Sequence, residues 1–214
     1  MGVKQTMPQI IDKSTWPRRE IYDFFAPMSD PFYDLTFPVE VTRLRAVCKE
    51  RGLSFYMAMT FAVTKAMESV DAFLYKDRGG VIIRHDSLVP SFTDLTPGSE
   101  LFRIVTLEAG DDMADFCRRA KDKSAAQREF ITQSEWDEDQ LVYFSCLPWF
   151  PVSAFKNERD ANPGDSVPRA TWGRWREESG RTMLDLSLEL NHRLLDGVHA
   201  GRFFERLNEL IAVL

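Results

Sequence analysis

What this chain lacks narrows its chemistry first. Cysteine and histidine are scarce, three of each in 214 residues. Cys48, Cys117 and Cys146 stand far apart without metal-ligand spacing, and His85, His192 and His199 do not cluster, so no metal site is expected. An odd, scattered cysteine set points to core packing in a reducing compartment, here the cytoplasm. The opening "MGVKQTMPQ" has no apolar core and does not read as a secretory signal, though Gly2 and Thr6 fit the loose N-myristoylation pattern. No apolar run approaches the length of a membrane span. Long basic runs are missing and the formal net charge is -6, which sets nucleic acid aside, because phosphate binding leaves a basic stripe. Neither G-x-x-x-x-G-K-[ST] nor G-x-G-x-x-G occurs, so the common nucleotide loops are absent. Repeats and low-complexity linkers are absent too, and residues 1–214 are read as a single domain.

What is present can fold. The chain is 44% hydrophobic and 12% aromatic, enough for a sizeable core. "STWPRREIYDFF" reads as a helix start, with Ser14 or Thr15 as cap and Pro17 in the first turn. "YDLTFPVEV" is extended. "VTRLRAVCKERG" carries a helical apolar spacing that stops at Gly52, and residues Ser54 to Val70 form a helix apolar nearly all round, which predicts deep burial. Short strands follow in "VIIRH", "LVPSFTD" and "LFRIVTLE", then an amphipathic helix in "GDDMADFCRRAKDKSAAQ", and strands in "QLVYFSCLPWF", "RATWGRW" and "RTMLDLSLEL". A last helix runs from about Val198 to Leu214. Strands and helices mix without βαβ alternation, which predicts an α+β fold, a mixed sheet flanked by helices.

The stretch "TMLDLSLELNHRLLDGVHAGRFF" carries the chemistry. Leu184, Leu186, Leu188 and Leu190 share one face of a strand, and Asp185, Ser187, Glu189 and Asn191 share the other. If the strand persists, His192 continues the leucine series and its imidazole faces the occluded side. An imidazole with one apolar flank can be held in one tautomer and accept a proton. Asp196 then caps the last helix. By itself the pattern reads first as a core strand ending in a histidine, with Asp196 as a cap only.

"WPRRE", "YFSCLPWF", "PRATWGRW" and "NHRLLDGVHAGRFFERLNEL" occur in that order, and together they resemble the chloramphenicol acetyltransferase family over nearly the whole chain. The terminal segment is the most specific part: His-x-x-x-Asp-Gly, then His199, Arg202-Phe203 and Arg206-Leu207. The resemblance implies a two-layer sandwich and transfer of an acetyl group from acetyl-CoA to a small-molecule hydroxyl, with no metal and no acyl-enzyme. His192 matches the general base and Ser145 the hydroxyl that donates to the developing oxyanion. Asp196 and Arg18 match a charge pair that fixes the imidazole loop. Thr171 matches a threonine that orders water by the oxyanion, on the coenzyme side, and Trp175 an aromatic against the coenzyme adenine. Phe25 and Phe102 match acceptor-pocket positions.

The family often has two consecutive histidines where this chain has Asn191-His192. The pocket segment "APMSDPFYDLTF" matches in length and apolarity, which supports an acyl acceptor without naming chloramphenicol. The resemblance further implies a homotrimer whose site lies between subunits. The apolar helix from Ser54 and the surface aromatics are compatible with it, since both need burial somewhere. Two other readings stand beside this one. A dihydrolipoamide acyltransferase core shares the His-x-x-x-Asp-Gly logic, but its usual linkers are not seen here. A binding homologue without useful catalysis would show damage at His192 or Ser145, and neither is damaged.

Overall fold

The computed structural model describes residues 7–160 and 162–214. Thr6 and Gly2 of the myristoylation pattern lie outside the described residues. In chain order the elements are β1 (Gln9–Ile10), α1 (Arg19–Phe25), β2 (Phe32–Glu40), α2 (Thr42–Arg51), α3 (Phe55–Glu68), β3 (Tyr75–Arg78), β4 (Val81–Arg84), β5 (Val89–Leu95) and β6 (Phe102–Thr106). They continue with α4 (Met113–Ala126), β7 (Leu141–Leu147), β8 (Arg169–Gly173), β9 (Arg176–Glu178), β10 (Arg181–Asn191) and α5 (Gly197–Ala212).

The main sheet runs β2-β10-β8-β7-β5-β6, with β9 paired to β10 beyond the end of β8. β5, β7 and β8 are mutually parallel and the other pairs antiparallel. A small second sheet, β1-β4-β3, lies apart from it. The expected α+β fold with a mixed sheet is therefore the observed one.

Local chemistry sets the element ends. Gly52 takes the left-handed conformation (φ 64°) that closes α2, and its N–H returns to Cys48 O. Ser54 caps α3 by accepting from Met57 N. Asp112 caps α4 in the same way through Asp115 N. The α1 expectation is corrected. The helix begins at Arg19, because Asp12 Oδ1 engages Ser14 N and Oγ in a turn of its own and neither Ser14 nor Thr15 caps it.

α3 is as buried as its composition predicts. Its two buried threonines, Thr60 and Thr64, bond back to Tyr56 O and Thr60 O, which satisfies their hydroxyls without leaving the helix. It packs between α4 and α5 within its own chain, so its apolarity makes no demand for a second copy. Beneath the helices lie Leu184, Leu186, Leu188 and Leu190 of β10, Ala170 and Trp172 of β8, and Val142 and Phe144 of β7, joined in one core cluster. Among the described residues no helix is long and apolar enough to cross a membrane.

Candidate active site

β10 stops at Asn191, one residue before the imidazole. His192 thus leaves the strand alternation in a turn, and its backbone N–H donates to Pro31 O at 2.8 Å. Its side chain is 37% exposed, neither sealed in the core nor free in solvent. The ring sits between two aromatics: the Phe25 centroid at 4.1 Å and the Tyr33 centroid at 4.7 Å. Phe25 comes from the end of α1. Tyr33 comes from β2, where it lies opposite Leu190, and its hydroxyl donates to Leu195 O at 3.1 Å.

Arg18 ties this turn together. Its Nη1 and Nη2 engage both carboxylate oxygens of Asp196, Nη2 also donates to His192 O at 2.8 Å, and Nε donates to Arg193 O at 3.0 Å. Those bonds hold the Asp196 carboxyl below the usual carboxylate range. Asp196 Oδ1 lies 3.3 Å from His192 Nε2, so the pair expected to brace the loop also touches the imidazole directly. Asp196 precedes α5 as expected, and its N–H donates to His199 Nδ1 at 2.9 Å. Burial, then Arg18, pushes the His199 pKa down. His199 Nδ1, as the acceptor of that bond, locks the start of α5.

Ser145 stands at the other end of the sheet's helix-free face. It borders a cavity of about 1200 Å³ with Tyr143, Thr93, Phe102, Phe130 and Asn157 among its walls. Phe102 packs edge-on against Phe130 at 5.4 Å. Thr171 is the register partner of Ser145 on the parallel strand β8. It is fully buried and reaches the cavity only through Asn157, whose Oδ1 accepts from its hydroxyl at 3.2 Å. Trp175 does not border the cavity. It lies between β8 and β9 with the Arg45 guanidinium 3.7 Å over its ring.

The polar face of β10 is a second departure from expectation. Strand alternation gave Ser187, Glu189 and Asn191 to a polar side, yet all three are buried. Ser187 Oγ pairs with Thr36 Oγ1 at 2.8 Å, and the segment before β8 covers Glu189 and Asn191. Glu189 accepts from Arg159 Nε at 2.6 Å and from Asn157 N at 3.1 Å, and Asp165 takes Arg159 Nη1 and Arg169 Nη2. Asn191 Nδ2 donates to Pro163 O and Asp165 O. Among the described residues Arg159 Nη2 and Arg169 Nη1 have no hydrogen-bond partner, though Arg169 Nη1 lies 3.5 Å from Glu189 Oε1. Both arginines border the Ser145 cavity, which therefore has one aromatic side and one charged side. No group of three or more metal-ligating side chains comes together among the described residues.

The structure thus gathers His192, Asp196, Arg18 and Phe25 at one place and Ser145 and Phe102 at another. Register gives their separation. Ser145 aligns with Thr171 and Thr171 with Ser187, five residues before His192. At about 3.3 Å per residue and about 4.8 Å per strand, the two Cα atoms lie about 20 Å apart. One reacting acyl group cannot lie within hydrogen-bond reach of both in a single chain. Sequence reasoning missed Tyr33, and the antiparallel pairing of β2 with β10 was the signal that could have found it.

Comparison with known proteins follows the same line. The family model described as chloramphenicol acetyltransferase matches residues 7–209. Chloramphenicol acetyltransferase 3 of Escherichia coli is 27% identical over 203 residues, 93% of this chain and 94% of its own. The chloramphenicol acetyltransferase of Clostridium perfringens is 25% identical over 206 residues, 94% of this chain and 97% of its own. A solved chloramphenicol acetyltransferase superposes with a TM-score of 0.86 at 21% identity, covering 96% of this chain and 100% of that one. The dihydrolipoamide acetyltransferase of Azotobacter vinelandii reaches 0.63 at 19% identity, covering 90% and 86%. At such identities the solved structures speak to the fold alone.

Proposed function

From membership of the chloramphenicol acetyltransferase family, to which this chain belongs, we propose that it is an acetyl-CoA-dependent O-acetyltransferase acting on a hydroxyl of a small molecule. His192 is the general base, and Ser145 donates to the oxyanion. The acceptor oxygen loses its proton to the imidazole as it attacks the thioester carbonyl carbon, forming a C–O bond. Charge moves onto the carbonyl oxygen, where a fixed hydroxyl donor is worth about 3 kcal/mol. The C–S bond then breaks, and the CoA sulfur takes the proton back from the imidazolium. Asp196, 3.3 Å from His192 Nε2 and paired with Arg18, fixes the imidazole turn.

The observation that carries this reading is the pair of half-sites. Each holds one matched polar group beside one matched aromatic: His192 against Phe25, and Ser145 in the cavity with Phe102. The separation of about 20 Å along the sheet supports a complete site formed between copies of the chain, and the family resemblance implies a homotrimer. Exposed apolar residues at both ends support this: Ile21 and Phe24 near His192, and Phe130, Trp149 and Phe150 near Ser145. Thr171 and Trp175 fall to the coenzyme side, with Trp175 reaching CoA outside the cavity itself.

The test is thiol release from acetyl-CoA across a panel of hydroxyl compounds that includes chloramphenicol, with light scattering for the assembly. Release is expected with at least one acceptor and should fall by several orders of magnitude in His192→Ala with the fold intact. No release with any acceptor would end the catalytic reading. Acetylation of chloramphenicol itself would give the chain an antibiotic-resistance role.

A further inference from the structure

We propose that Arg193, the residue after the imidazole, is a positioning residue for the reaction, holding the last turn of α1 so that Phe25 stays against His192. This rests on the His192 reading above. Arg193 is charged yet only 7% exposed. A buried guanidinium needs acceptors for its N–H groups. Nε donates to Phe25 O at 3.4 Å, and Nη2 donates to Ala26 O and to Met28 O. These carbonyls end α1 and begin the chain that leaves it, where a helix has orphan acceptors and the negative end of its dipole. α1 has no basic residue in its own last turn, so the cation arrives from across the fold.

Asp77 balances that charge. Its Oδ2 accepts from Arg193 Nη1 at 3.3 Å and from the hydroxyl of Tyr22, also on α1, at 2.8 Å. The arginine is itself anchored, since its N–H donates to Asn191 Oδ1 at 3.0 Å. α1 has 7 residues, and so short a helix depends on its surroundings for its position. Helix and turn therefore clamp one another twice. Arg18 reaches from the start of α1 to the turn, and Arg193 reaches from the turn to the end of α1. Phe25, whose carbonyl Arg193 holds, presents the ring that flanks the imidazole.

The experiment is steady-state kinetics on the full chain with acetyl-CoA and its fastest acceptor from the panel. Arg193→Met, Arg193→Lys, Phe25→Leu and their combinations are compared, with His192→Ala alongside. Arg193→Met should lower kcat by about tenfold to a hundredfold, the scale of an ångström-sized misplacement. KM for acetyl-CoA should not move, because the Ser145 half is untouched. Arg193→Lys keeps the charge without the fork and should recover part of the rate. Phe25→Leu should cost less in either Arg193 variant than in wild type, because the two act through one contact. A kcat within about twofold of wild type in the Arg193 variants, or losses that simply multiply with Phe25→Leu, overturns the proposal. If Arg193→Met is insoluble, the same cycle on Arg193→Lys decides. A wild type that releases no thiol sinks both readings, whereas an active wild type indifferent to Arg193 sinks this one alone.

Discussion

Replacing Arg18 with methionine should destabilise the chain and slow it together. The methionine keeps an apolar stem but removes the donors to Asp196, His192 O and Arg193 O. Breaking a buried ion pair by deleting one partner costs about 3–5 kcal/mol. Asp196 retains 26% of its side-chain exposure, so water recovers part of that, and about 2–3 kcal/mol is expected. For a chain of this size each kcal/mol moves Tm by about 2–4 °C, which gives a fall of about 4–12 °C. The pH dependence has a definite sign. The folded state favours ionised Asp196, so the stabilisation is complete above the unfolded carboxylate value of about 3.9. It drains away as the pH falls through the lowered folded value. Thermal melts at fixed protein concentration should show the full gap between wild type and variant at pH 7 and a shrinking gap below about pH 4. A Tm within about 1 °C of wild type at pH 7, or a gap indifferent to acid, would refute the reasoning.

Ser145→Ala should lower kcat about a hundredfold with melting unchanged, and an undiminished rate would remove the oxyanion role. Gly173→Ala should destabilise by about 1–3 kcal/mol. Its added Cβ would lie 2.6 Å from Val152 N and 2.7 Å from Phe150 O, backbone atoms that cannot swing aside. An unaltered melt would show that the Phe150 and Val152 backbone does not pack against Gly173.

Periodicity was a good guide wherever one face meets the core. The leucine series of β10 and the nearly all-round apolar α3 were readable because burial there is set by the element's own side chains. β3 was not readable, since "YKDR" offers no alternation, yet Lys76 and Asp77 are buried by contacts with Ser166, Tyr22 and Arg193. The inner placing of Glu189 and Asn191 was hidden for the same reason. Alternation says which way a side chain points, but their cover is an arginine-bearing loop distant in sequence. At the site, the grouping of His192, Asp196 and Arg18 was expected from the family resemblance that the ordered motifs carry. Tyr33 and Arg193 were not, because their roles depend on which strand lies beside β10 and on where α1 ends.

The two walls of the cavity beside Ser145 differ in how they are joined to the imidazole turn. Its aromatic side, Phe102 and Phe130, comes from segments away from the clamped turn, whereas its charged side is tied to it: Asp165 holds Arg159 and Arg169, and its carbonyl accepts from Asn191 beside His192. On the proposed chemistry, substitutions at Phe102 and Phe130 would change which alcohol fits while leaving the contacts of the imidazole turn in place.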